Sequence, residues 1–194
     1  MAESTATDLT SRSIVAPSAP RGDEVLTRLL GKARPLVMGV VNVTPDSFSD
    51  GGRFLDPKAA IAQAESLAGE GADILDIGAE STRPYGGAMP VSLAEERQRL
   101  DPVLRPVVAL GVPVSIDTIK AEVAAWALEA GAAIVNDVWG LQRDPHMARV
   151  VAEHGAPVVI MHNRDAADPA IDIIRDVTEF FSRALEIAWS AGIH

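Results

Sequence analysis

The segment Gly131-Ala132-Ala133-Ile134-Val135-Asn136-Asp137-Val138 decides the fold. A glycine closes a helical stretch, because a left-handed helix C-cap needs no Cβ. A short β-branched run follows, apolar at successive positions rather than alternate ones, as in parallel strands buried on both faces. It ends on an amide and a carboxylate. The same junction recurs at Gly71-Ala72-Asp73-Ile74, Gly111-Val112-Pro113-Val114 and Gly155-Ala156-Pro157-Val158. Apolar segments therefore lie at 36–43, 73–77, 112–116, 133–138 and 157–161, and Gly192-Ile193-His194 reads as the opening of a sixth.

Helix starts fall between these segments. Asp56-Pro57, Asp144-Pro145 and Asp168-Pro169 each set a capping carboxylate before a proline suited to the first helical position. Ser92 with Glu95 forms a capping-box pattern. The result is a repeated βα unit. No glycine-rich dinucleotide fingerprint accompanies it, which favours a β/α barrel over a doubly wound sheet. Residues 1–21 are rich in Ala, Ser, Thr and Pro without apolar periodicity, and 23–30 reads as a short helix or strand leading into the core. The division is a flexible N-terminal arm, 1–34, and a barrel domain, 35–194.

The 194 residues, 47% hydrophobic and 23% charged, suffice for one well-buried core. A net charge of -10 argues against nucleic acid or an anionic membrane as partner. With only 4% aromatic residues, base-stacking platforms are disfavoured. The absence of cysteine excludes disulfides, thiolate metal sites and a cysteine nucleophile, and fits a cytoplasmic location. No apolar run reaches the roughly 18 residues of a membrane span.

Barrel chemistry sits where strands end. The strand ends here carry Asn42, Asp76, Glu80, Asp117, Asn136 with Asp137, and His162. A strand buried on both faces holds an unpaired polar group at a cost of about 1–3 kcal/mol, so their repetition points to a shared polar cavity. Taken singly, each could instead cap a helix or satisfy loop backbone. The loops at 42–52 and 80–87 add hydroxyls, carboxylates, Phe48 and Arg83, whose planar fork suits phosphate or carboxylate. His146 and His154 read as surface or helix-end residues, and Trp126, Trp139 and Trp189 as packing on the outer face.

Several of these stretches resemble dihydropteroate synthase. The carrying motifs are Met38-Gly39-Val40-Val41-Asn42-Val43-Thr44-Pro45-Asp46-Ser47-Phe48-Ser49-Asp50-Gly51-Gly52 and Asp76-Ile77-Gly78-Ala79-Glu80-Ser81-Thr82-Arg83-Pro84. Ser115-Ile116-Asp117-Thr118, Ile134-Val135-Asn136-Asp137 and Met161-His162-Asn163-Arg164 follow in the family's order. The resemblance implies a TIM-type (β/α)8 barrel, here incomplete, with five parallel βα units. It implies the condensation of 6-hydroxymethyl-7,8-dihydropterin diphosphate with 4-aminobenzoate, giving 7,8-dihydropteroate and diphosphate. Asn42 then matches the residue holding Mg2+ and the diphosphate, Asp117 and Asn136 the pterin ligands, and Thr82 a further substrate contact. Arg83, Asp46 and Asp50 match mobile-loop residues that help ionise the substrate. Pro45 and Phe48 match the apolar wall of the aminobenzoate pocket, where sulfonamides compete.

The family's later motifs, an Asp-Pro-Gly, a Ser-Arg-Lys and an Arg-x-His, do not occur in these residues, and a full barrel takes about 250. The Arg83 loop is also longer than the family's, with Tyr85 at a position usually held by glycine. Weak pterin binding and little turnover are the expectation for the 194 residues alone, and a homodimer only with the later units present. Two alternatives stand beside this reading. One is a pterin-binding methyltransferase of the same barrel type, against which the Thr44-Pro45-Asp46-Ser47-Phe48 loop speaks. The other is a non-catalytic partial barrel, whose open sheet would expose two edges and an apolar inner face.

Overall fold

The structure, a computed structural model, describes residues 22–44, 56–81 and 90–194. The chain runs α1 (Gly22–Leu30), β1 (Met38–Asn42), α2 (Pro57–Gly69), β2 (Ile74–Gly78), α3 (Leu93–Val108), β3 (Val114–Asp117), α4 (Ala121–Glu129), β4 (Ile134–Asp137), α5 (Met147–His154), β5 (Val158–Ile160) and α6 (Ile173–Ser190). All five strands are parallel, in the order β1-β2-β3-β4-β5. A doubly wound sheet reverses its strand order at a switch point. None occurs among these strands, so the sheet is singly wound, as in a barrel wall.

The glycine junctions work as the sequence predicts. Ala72, Ala132, Ala156 and Ile193 each donate a backbone N–H five residues back, to Leu67, Ala127, Val151 and Ala188. The preceding glycines, 71, 131, 155 and 192, have φ between +57° and +110°. This is the Schellman closure, and it returns the chain sharply towards the sheet. After Gly192 the closure forms but no strand follows within the described residues.

Two helix starts differ from expectation. Asp56 and Ser92 cap α2 and α3 with their side chains. Asp144 instead accepts from Ala121 N (2.8 Å) and His146 N (2.9 Å), so it serves the start of α4 and the turn before α5. Asp168 takes Ala170 N in a turn, and Asp172 caps α6. An Asp-Pro pair fixes a turn, while tertiary neighbours choose which N–H the carboxylate receives.

The core lies between the outer sheet face and α2–α5, around Leu75, Ile77, Leu100, Leu104, Ile116 and Val135. β2 is buried on both faces, as expected; β1 and β5 are not. These flank the sheet, and Met38, Val40, Val159 and Met161 are exposed. At the N-terminal end of the strands, α1 buries Val25 and Leu29 against Ile74 and Ile134. Asp73, almost wholly buried, receives a two-pronged bond from Arg34 (2.7 and 2.8 Å), an ion pair from Lys32 and the Val37 N–H. Residues 22–34, assigned to the arm from sequence, thus carry a helix and a tether at the foot of the sheet. Of the tryptophans, Trp126 packs partly against the core with Arg97 over its ring, whereas Trp189 is 58% exposed and Trp139 lies in a cleft.

Candidate functional site

Parallel register places paired residues on the same sheet face. Asn42 pairs with Gly78, Gly78 with Asp117, Asp117 with Asn136, and Asn136 with Val159. The three predicted side chains Asn42, Asp117 and Asn136 therefore share one layer at the C-terminal end of the inner face. One step below lie Val40, Asp76, Ser115 and Ile134. Asp46, Asp50, Arg83, Thr82, Pro45 and Phe48 fall outside the described residues.

Gly78 makes room in the upper layer: a Cβ there would lie 3.1 Å from Asp117 Oδ2. Asp117 leans over this gap. Asp76, 5% exposed, accepts from Asn136 Nδ2 at 3.1 Å. Asp76 Oδ1, Ser115 Oγ and Asp117 Oδ1 are buried without a hydrogen-bond partner. Folded proteins leave few such atoms, so three together mark a place set aside for something other than stability.

The electrostatics follow from that crowding. Burial, foremost, and then the carboxylates of Asp76, Glu96, Asp137 and Glu80 push the Asp117 carboxyl up to about 7. Asp76 is also raised by burial, against the Ser115 hydroxyl, which lies close by without reaching hydrogen-bond geometry, and the Asn136 amide, which bonds to it. Near neutral pH, Asp117 can present either a proton or a lone pair.

The remaining strand-end residues divide. Asp137 takes the Trp139 and Leu141 N–H groups, both at 2.8 Å, and so shapes the loop after β4. Glu80 takes Val91 N (3.0 Å), joining the exit of β2 to the approach to α3, and pairs with Lys120. His162 meets Asp176 at 2.7 Å, tying the exit of β5 to α6. His154 lies near the Val150 carbonyl at its own helix end.

A support behind Asp117 was not read from the sequence. Glu96, fully buried on α3, accepts from Thr118 Oγ1 (2.7 Å) and Lys120 Nζ (2.6 Å). Burial works against the Lys120 charge, but the bonds from Glu80 and Glu96 outweigh it and hold the ammonium above its usual value. The signal was present. Leu93, Glu96, Leu100, Val103 and Val107 form an apolar helical stripe with one carboxylate in it.

A cleft of about 480 Å³ opens between the loops that follow β4 and β5 and the face of α6. Trp139, Arg143, Asn163, Asp176 and Arg183 help line it, with Arg143 3.8 Å over the Trp139 ring. None of Asn42, Asp76, Asp117 or Asn136 borders it.

Residues 38–194, which contain all four of these side chains, match the pterin binding enzyme family. The chain belongs to the pterin-binding enzyme family. It is 48% identical over 163 residues to the dihydropteroate synthase of Bacillus subtilis, covering 84% of this chain and 56% of that protein. The Clostridium difficile dihydropteroate synthase, solved in the presence of pteroic acid, superposes with a TM-score of 0.77 at 46% identity. It covers 84% of this chain, which spans 61% of that one. The Xanthomonas albilineans enzyme, solved with 4-aminobenzoic acid, gives 0.77 at 44% identity, over 91% and 64% of the two chains. The chain thus spans about three-fifths of the length of the proteins it resembles. No described helix is long and apolar enough to cross a membrane.

Proposed function

We propose that the chain supplies the pterin-holding part of a dihydropteroate synthase. The reading rests on one observation, the neighbouring placement of Asp117 and Asn136 at the mouth of the inner face, above a buried carboxylate. Acceptors at two edges of a flat heterocycle suit a pterin, whose ring carries adjacent N–H donors. In the condensation, the methylene C–O bond to diphosphate breaks and the amine nitrogen of 4-aminobenzoate forms the new bond to that carbon. The diphosphate leaves with the bonding electrons, and the amine loses a proton. Asp117 and Asn136 hold the ring, which shares the positive charge that develops on the methylene. Arg83, Asp46 and Asp50 are proposed to act on the reacting centre, Thr82 on the substrate, and Pro45 and Phe48 on the aminobenzoate ring, with sulfonamides competing there.

Mg2+ is part of the proposal. Among the described residues, no group of three or more His, Cys, Asp or Glu side chains could hold a metal. Asn42, exposed at the edge of the layer, offers one neutral hard oxygen. That fits an Mg2+ ion that fills its other positions with water and phosphate oxygens. When bound, the ion would neutralise charge on the departing diphosphate. A cytoplasmic location, and a homodimer in a protein with the later barrel units, complete the proposal.

The test is calorimetric titration of the purified chain with 6-hydroxymethylpterin. Weak, saturable binding is expected, falling about tenfold in Asn136→Ala through loss of one acceptor to the ring. No binding, or binding indifferent to Asp117→Ala and Asn136→Ala, would overturn the reading.

A further inference from the structure

We propose that Asp76 is a positioning residue: by receiving the Asn136 amide N–H it forces the Asn136 carbonyl oxygen towards the mouth of the site. The inference builds on the pterin-holding reading above and assigns a role to a side chain below the ligand layer.

The argument begins with the register. Asp76 sits on β2 and Asn136 on β4, one layer apart, with β3 between them. Their side chains meet only by crossing over Ser115, whose small side chain leaves the diagonal open. An ionised carboxylate accepts hydrogen bonds and donates none. Asp76 Oδ2 can therefore be satisfied by the NH2 end of the amide and not by its oxygen. The bond is 3.1 Å long and Asp76 is 5% exposed, so water is a poor substitute. With the NH2 end turned down, the oxygen faces the layer that Asp117 shares. The pair then offers acceptors to the ligand, which selects a ring edge carrying N–H groups.

Removing that constraint has a distinct signature. Asparagine at position 76 could either donate or accept, so Asn136 could turn over and present NH2 instead. Asp76→Asn keeps the volume and removes a buried charge, so it should fold at least as firmly as the parent chain. Three measurements on the full chain decide the matter. The Asn136 side-chain amide, followed by hydrogen exchange without ligand, should be protected in the parent and lose protection in Asp76→Asn. Affinity for 6-hydroxymethylpterin should fall about tenfold in Asp76→Asn, the scale of one misdirected hydrogen bond. In an Asn136→Ala background, Asp76→Asn should cause no further loss, because its effect passes through Asn136.

An additive loss in the double variant, or an unprotected Asn136 amide in the parent chain, would overturn the assignment. Should Asp76→Asn fail to fold, the parent's amide protection still decides it. If the parent binds no pterin, the functional reading fails, and the exchange measurement judges the role of Asp76 independently.

Discussion

Gly78 lies directly beside Asp117: a methyl group on its Cα would come within 3.1 Å of the carboxylate oxygen and 3.2 Å of the Asp117 Cβ. The two are register partners on adjacent strands, so the missing side chain of one makes the space for the other.

Gly78→Ala should therefore separate stability from binding. Alanine suits a strand better than glycine, by roughly 0.5–1 kcal/mol, which offsets the crowding. Asp117 must move by a few tenths of an ångström. Melting should stay within a few degrees of the parent while affinity for 6-hydroxymethylpterin falls about tenfold. Unchanged affinity by calorimetric titration would show that Asp117 does not need that space.

Asp117→Asn should stabilise the chain, and only in part of the pH range. The Asp117 carboxyl, raised to about 7, keeps its proton longer in the folded chain than in the unfolded one, where the value is about 3.9. The parent's stability therefore declines as pH rises from about 4 to 7. The amide carries no such burden. Urea unfolding should show a gain on the order of 2–4 kcal/mol at pH 8 and almost none at pH 4. A gain independent of pH would refute the shift.

Lys120→Met should be among the most damaging single changes. It removes the cation from Glu96, which is fully buried, and from Glu80. An uncompensated buried charge costs about 3–5 kcal/mol. Combining it with Glu96→Gln should recover part of that loss. Denaturant unfolding of the three variants gives the comparison, and a double variant as weak as Lys120→Met alone would argue against the pairing.

Asp73→Asn should loosen the foot of the sheet. The bonds from Arg34, then Lys32 and the Val37 N–H, hold the Asp73 carboxyl well below the usual carboxylate range. That stabilisation is complete above the unfolded value of about 4 and shrinks as pH falls towards the folded one. The variant should melt lower than the parent at pH 7, with the gap closing only in strong acid. Trypsin should cut faster after Lys32. Parent-like melting and cleavage at pH 7 would mean that the tether holds nothing.

Features fixed within a few residues could be read from the sequence. The Schellman turns need a glycine and the residues immediately around it, so the strand starts at Ile74, Ile134 and Val158 were legible. The shared layer of Asn42, Asp117 and Asn136 followed because each ends its own strand in a repeating unit. Asp144 was misread because its partner at Ala121 lies on another helix, and Trp189 because aromatic character alone does not place a side chain inward. Glu96 and Asp76 take their meaning from Lys120 and Asn136, 24 and 60 residues further on. Such pairings exist only after the sheet has formed.

The uninterrupted strand order also bears on how the chain is made. Every strand pairs with its predecessor in sequence, and even Leu75 with Val114, among the widest pairings, is separated by 39 residues. Each emerging βα unit therefore finds its docking edge already synthesised, so the sheet can grow in the direction of translation. The bond between Asn136 and Asp76 illustrates the order. Asp76 Oδ2 would wait without a donor until β4 arrives with Asn136, so the future ligand site takes shape only when the fourth strand is in place.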